Sequence, residues 1–145
     1  MTIRQFHEKD MKPVLEIETE TFPETGFSER QFRSYGVEDR ATFLVYEENG
    51  ETIGYVIFSS DTSSSTVYLA SLAVESQYRR RGIGTELMRR AMEAARTRGA
   101  QRMTLHVRTS NDGAIEFYRG LGFGIRATVP GYYRDEDAYR MALKL

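Results

Sequence analysis

The chain has 145 residues with 20 Lys and Arg against 21 Asp and Glu, and its formal net charge of −1 lacks the basic excess of a general nucleic-acid binder. That length suits one compact domain over residues 1–145, and no apolar run approaches the roughly 20 residues that span a bilayer, so a cytoplasmic protein without membrane or nucleic-acid partners is expected. With no cysteine and only His7 and His106, the chain cannot use a cysteine nucleophile, and no metal centre of the usual ligand set is expected.

TIRQF reads as a short first strand. From Asp10 to Phe22, the residues Met11, Val14, Leu15, Ile17 and Phe22 recur at helical intervals. Ser28 and Gln31 form the pattern of a capping box opening a second short helix. ATFLVYEENGETIGYVIFSSD carries two apolar runs around Asn49-Gly50, a hairpin signal, and Ser59 to Ser65 reads as a polar turn. STVYLASLAV (Ser65 to Val74) is apolar on both faces, as a central strand covered on both sides would be. The following helix places Ile83, Leu87, Ala91, Ala94 and Ala95 on one stripe, with Gly99 as its C-cap. In QRMTLHVRTSN, Met103, Leu105 and Val107 face one way and Thr104, His106 and Arg108 the other. NDGAIEFYRGLGF reads as a shorter helix stopped by Gly120 and Gly122, and DAYRMALKL as a last strand. Interspersed strands and helices without a strict βαβ rhythm predict a mixed α/β or α+β sheet.

Between the central strand and its helix lies YRRRGIGTELMRRA (Tyr78 to Ala91), with three arginines against two glycines. Unpaired backbone N–H groups and the helix dipole suit such a turn to an anion, and glycine lets the backbone close on it. A Walker A loop would need Lys followed by Ser or Thr after the second glycine. The dinucleotide fingerprint would need a small residue where Leu87 stands. Neither pattern is met, and a solvated basic helix start is the alternative.

Arg79-Arg80-Arg81-Gly82-Ile83-Gly84 matches the Gln/Arg-x-x-Gly-x-Gly/Ala signature of the GNAT acyltransferases, and SLAVESQYRRRGIG resembles its strand–loop–helix context. HVRTSNDGAIEFYRGLGF (His106 to Phe123) resembles that superfamily's later segment, where an asparagine and a tyrosine approach coenzyme A. FPETGFSERQF at Phe22 and GYYRDEDAYRMAL at Gly131 resemble the two substrate loops of its protein N-terminal acetyltransferases. That subgroup takes in ribosomal-protein-alanine acetyltransferases and archaeal amino-terminal acetyltransferases. The resemblance covers nearly the whole chain. It implies the GNAT fold, a single mixed, mainly antiparallel central sheet flanked by about four helices.

It also implies acetyl-CoA as co-substrate and transfer to the free α-amino group of protein N-termini. Without cysteine, acetyl passes most simply by direct attack in a ternary complex. Ribosomal proteins are among the implied substrates; a monomer is expected, with an auxiliary subunit left open. Two other readings stand beside this one: a GNAT acting on small amines or lysine side chains, and a catalytically silent acyl-CoA-binding module that regulates a partner.

On this resemblance Arg79, Arg80, Arg81, Gly82, Ile83, Gly84 and Thr85 surround the pyrophosphate. Leu72, Ala73 and Val74 run beside the pantetheine, where a backbone N–H can stabilise the developing oxyanion. Asn111 and Tyr118 reach the cofactor, and Asn111 can also cap its helix. Tyr118 is the candidate acid for the departing thiolate, or else a core tyrosine beside Phe117.

An α-amine titrates near roughly 7.7–8.0 against about 10.4 for lysine, so a modest base serves an N-terminus. His106, on the polar face of its strand, has a suitable intrinsic pKa, and a structural histidine is the competing role. Family members with histidine here carry a tyrosine on the preceding strand that shares an ordered water with it, and Tyr68 matches that tyrosine. Phe22, Pro23 and Glu24 would form one wall of a peptide slot. Glu24 matches a glutamate that shapes the amine site in one subgroup, or is an exposed loop acid. Tyr132 and Tyr133 would form the opposite wall, or pack at a strand edge.

Overall fold

The computed structural model describes residues 1–37, 40–60 and 65–145, so residues 61–64 of the predicted Ser59–Ser65 turn lie outside the described residues. The strands are β1 (Thr2–Gln5), β2 (Ala41–Glu48), β3 (Glu51–Ser60), β4 (Thr66–Val74), β5 (Arg102–Arg108), β6 (Gly124–Tyr133) and β7 (Glu136–Lys144). They make one seven-stranded sheet in the order β1-β2-β3-β4-β5-β7-β6. Every neighbouring pair is antiparallel except β4 and β5. The helices are α1 (Met11–Thr21), α2 (Glu29–Val37), α3 (Ile83–Thr97) and α4 (Asp112–Gly120). Among the described residues this is a mixed, mainly antiparallel sheet with four α-helices, as the family resemblance implies. No helix among the described residues is long and apolar enough to cross a membrane.

Local chemistry explains where the elements turn. Asn49 and Gly50 both adopt positive φ, 53° and 79°, as a two-residue hairpin between right-twisted strands demands. Ser28 and Gln31 exchange both bonds of a capping box, at 2.8 and 3.2 Å. Asn111 Oδ1 accepts from the Ala114 N–H at 3.2 Å and starts α4. Helix α4 runs through Gly120, and the stop is at Gly122, whose φ of 107° lets the Phe123 N–H return to the Tyr118 carbonyl at 3.0 Å.

Strand β6 is the element the sequence pattern does not announce. Pro130 and Gly131 interrupt it, and Arg126, Thr128 and Pro130 are exposed on what is an edge of the sheet. Its pairing with β7 is irregular between Val129 and Tyr133, which marks a bulge just before the two tyrosines.

Both faces of the sheet are covered. Helices α3 and α4 bury Ile83, Leu87, Met88, Ala91 and Ile115 against Val56, Phe58, Leu69, Met103 and Leu105. On the other face α1 and α2 bury Met11, Val14, Ile17 and Phe32 against Phe43, Val45, Tyr55 and Ile57. Strand β4 serves both cores, as its two-sided apolarity predicts. Val67 and Leu69 point to α3, and Ala73 points to α1.

Two irregularities in β4 create the site. Its register against β3 slips between Ile57–Ser71 and Phe58–Leu69, leaving Ala70 as an extra residue. Ala70 and Ser71 therefore face α1 in succession, and the alternation is reset for Leu72, Ala73 and Val74. On its other side β4 pairs with β5 only from Thr66–Arg102 to Tyr68–Thr104. Both strands continue beyond that point without a ladder between them, and a cleft of about 1130 Å³ occupies the gap.

Candidate active site

At one end of the cleft, β4 runs through a short turn into α3. Arg80 and Gly82 both take left-handed backbone there, with φ of 65° and 78°. Glycine adopts that conformation freely, whereas Arg80 pays a steric cost for it. The result is a concave run of peptide groups. Among the described residues no backbone carbonyl accepts from the N–H groups of residues 80–85, and the first helical bond is Glu86 to Gly82 at 3.0 Å. Six donors at the positive end of a 15-residue helix form an anion cradle.

Arg79, Arg80, Gly82, Ile83, Gly84 and Thr85 line the cleft at this end. Arg81 does not. Its guanidinium meets both oxygens of Glu48, each at 3.1 Å, and lies over the Tyr78 ring. Arg81, predicted to lie at the pyrophosphate, here braces the turn against β2. Arg79 bridges inward, with Nε on the Val74 carbonyl at 3.0 Å and Nη2 on Thr21 Oγ1 at 3.2 Å.

Leu72, Ala73 and Val74 follow along the wall, with Asn111, Phe117 and Tyr118 opposite. Tyr118 packs edge-on between Phe117 and Phe123, with ring centroids 5.2 and 5.5 Å away. Burial, followed by the proximity of Tyr133, pushes its phenol well above the ordinary range, so it keeps its proton at neutral pH.

At the other end, side chains take over. Tyr68 and His106 project from the two separating strands, on the face opposite Leu69 and Leu105. The Tyr68 hydroxyl lies 2.9 Å from His106 Nδ1, a direct contact where the family resemblance implies a shared water. Tyr132 stacks on the imidazole with centroids 4.1 Å apart and planes 11° from parallel, and its hydroxyl is 3.3 Å from that of Tyr68. Burial, and then the charge of Arg140 across the β5–β7 ladder, lowers the His106 pKa from its ordinary value. Burial and the Tyr132 hydrogen bond raise that of Tyr68. A neutral imidazole and a protonated phenol thus stand in contact at neutral pH, able to accept and pass on one proton. Tyr133 also lines the cleft, under an Arg108 guanidinium 4.3 Å from its ring centre, and Arg108 is fixed by Asp135 and Glu136.

The loop after α1 brings Phe22 and Thr25 to this end. Pro23 and Glu24 are exposed on the loop's outer side and line no part of the cleft, so Glu24 is not brought to His106. Two carboxylates of α1 do line it, exposed Glu20 and buried Glu18, and the sequence pattern hides the second because a glutamate on an amphipathic helix reads as solvated. Glu18 is 2 % exposed.

A model of the acetyltransferase (GNAT) family matches residues 10–123. The chain is 36 % identical to an N-alpha-acetyltransferase of Sulfurisphaera tokodaii, over 99 % of this chain and 92 % of that protein. Among solved structures it resembles Ard1 from Thermoplasma volcanium with a TM-score of 0.91 at 32 % identity, covering 99 % and 97 % of the two chains. It also resembles the ribosomal-protein-S18-alanine N-acetyltransferase from Escherichia coli, with a TM-score of 0.86 at 29 % identity over 99 % and 92 %.

Proposed function

The chain belongs to the acetyltransferase (GNAT) family and is an acetyl-CoA-dependent N-acetyltransferase, and on that premise we propose that its acceptor is the free α-amino group of protein N-termini. The observation that carries this reading is the Tyr68–His106–Tyr132 cluster. A histidine whose pKa burial holds below the ordinary histidine value is matched to an amine that titrates near about 8, and is a poor match for lysine. The names of the Sulfurisphaera and Escherichia relatives support the same acceptor, with ribosomal proteins among the substrates. In this proposal the protein acts in the cytoplasm as a monomer.

The residues present fit coenzyme A. The open N–H groups of residues 80–85 and the Arg80 guanidinium suit a pyrophosphate, and the unpaired edge of β4 at Leu72, Ala73 and Val74 suits the amide groups of a pantetheine arm. When bound, acetyl-CoA supplies an activated thioester carbonyl and a thiol leaving group. A backbone N–H of the same β4 stretch would stabilise the negative charge that develops on that carbonyl oxygen. His106 Nδ1 receives the proton of the attacking amine, with the Tyr68 hydroxyl as relay. Tyr118 donates its phenolic proton at the leaving sulfur. Phe22, Tyr132 and Tyr133 hold the peptide and exclude water from the amine.

The test is transfer of labelled acetyl to peptides beginning Met-Leu, Ser, Ala and Glu, beside an N-terminally blocked peptide containing lysine. At least one free N-terminus should be acetylated far faster than the blocked peptide. Faster acetylation of the blocked peptide would overturn the acceptor assignment.

A further inference from the structure

Among the described residues Glu18 is the one buried carboxylate in the cleft wall, and nothing in the proposed chemistry uses it. Its bonds run to four parts of the fold. Oε1 accepts from the Tyr55 hydroxyl on β3 and from Ser71 Oγ on the β4 bulge, the latter at 2.8 Å. Oε2 accepts from the Phe27 N–H at 2.9 Å. The Glu18 backbone carbonyl accepts from the Phe22 N–H at 2.7 Å. One residue therefore pins both ends of the loop from Phe22 to Phe27, and also holds the bulge on the facing wall.

The loop between these pins has little slack. The Gly26 N–H bonds the Phe22 carbonyl at 2.8 Å, and a Cβ on Gly26 would come within 2.7 Å of that carbonyl oxygen and 3.1 Å of Glu18 Cγ. Phe22 and Thr25, which the loop carries into the cleft, thus have their places set by Glu18. On the other wall the Ser71 bond stabilises the bulge that resets β4, and so the facing of Leu72.

We propose that Glu18 is a positioning residue for acetyl transfer: its carboxylate clamps the peptide loop to the β4 bulge and fixes the distance from acceptor amine to thioester. The proposal rests on the acceptor assignment made above only for the choice of assay substrate. A misplacement of about 1 Å between reacting groups costs on the order of 100-fold in rate, so the clamp should be visible in turnover.

The hydrogen-bond chemistry supplies a discriminating variant. In Glu18→Gln the amide oxygen can accept from the Phe27 N–H, while the amide NH2 donates to the hydroxyl oxygens of Tyr55 and Ser71, which rotate to accept. The clamp survives without its charge. Glu18→Ala loses all three side-chain bonds, and Ser71→Ala loses only the link to the bulge.

The experiment measures kcat and KM for the best N-terminal peptide, together with CoA affinity by calorimetry, for all three variants. Glu18→Ala is expected to lose about 10–100-fold in kcat/KM for peptide with CoA affinity within about threefold. Glu18→Gln should recover most of that loss. Ser71→Ala should lower kcat more than it raises the peptide KM, because the loop stays pinned. Should Glu18→Ala prove unfolded by circular dichroism, the Gln and Ser71 variants decide alone. Wild-type kcat/KM in folded Glu18→Ala, equal damage from Ala and Gln, or an unaltered Ser71→Ala would each overturn the clamp. If the wild type itself prefers a lysine or small amine, the acceptor assignment fails, and the same series run on that amine still tests Glu18.

Discussion

The two ends of the cleft are built by different means. The anion end is made of backbone: N–H groups of residues 80–85, set out by left-handed Arg80 and Gly82 and a helix terminus. The end proposed to react is made of hydroxyls and one imidazole, contributed by β4, β5, α4 and β6. Backbone donors tolerate most side-chain changes and respond to those that alter conformation or intrude on the cradle. Side-chain groups act individually, and each can be deleted without moving the chain. Substitutions at the first end should therefore act on affinity, and those at the second on turnover.

The largest effect sharpens that division at Tyr118. Tyr118→Phe removes a hydroxyl and keeps the ring between Phe117 and Phe123, so kcat should fall by roughly 100-fold or more while CoA affinity holds. Pre-steady-state kinetics that show an unchanged chemical step would take Tyr118 out of the reaction. Next comes Gly84. A Cβ there meets Phe117 Cζ at 3.5 Å, an ordinary contact, so Gly84→Asp should fold while its charge weakens CoA binding about 100-fold. Calorimetry with unaltered CoA affinity in the folded variant would break the comparison at its anion end.

His106→Ala is expected to be milder and to depend on pH. Burial, and then the charge of Arg140, lowers the wild-type imidazole's pKa from its ordinary value, which favours the neutral form that can take the ammonium proton. The variant must wait for an amine deprotonated in solution, and with an amine pKa near 8 that fraction is about one tenth at pH 7. The defect in kcat should thus be about tenfold at pH 7, grow as pH falls until the imidazole itself protonates, and vanish near pH 9. A pH–rate series on a Met-Leu peptide in which the two curves run parallel would make His106 structural. The smallest effect belongs to Arg81. Because Glu48 already holds its guanidinium, Arg81→Ala should leave CoA affinity within about twofold, whereas Arg80→Ala should lose about tenfold. Equal losses from the two would show that Arg81 leaves Glu48 for the ligand.

What could be read from the sequence follows the same division. The glycine turn is legible because only certain residues tolerate φ above zero, and Asn49-Gly50 is legible for the same reason. His106 is legible because alternation on β5 puts it opposite Leu105 and Val107. The irregular features are not. An extra residue at Ala70 leaves no mark in a strand that is apolar on both faces. Strand β6 hides behind Pro130 and Gly131. Glu18 and Arg81 mislead in opposite directions, since a partner far away in sequence decides each: Ser71 buries the glutamate, and Glu48 withdraws the arginine.

The early end of the β4–β5 ladder also bears on how the protein keeps in solution. Beyond Tyr68 and Thr104 the molecule carries two strand edges facing each other across the gap, with the Val74 carbonyl already taken by Arg79. Open strand edges invite pairing with foreign chains, and here they are recessed inside a crevice that a long, amide-bearing ligand can fill. Storage with excess coenzyme A should accordingly slow aggregation on heating, and at 100 times its Kd the ligand adds about 2.7 kcal/mol to the folded state.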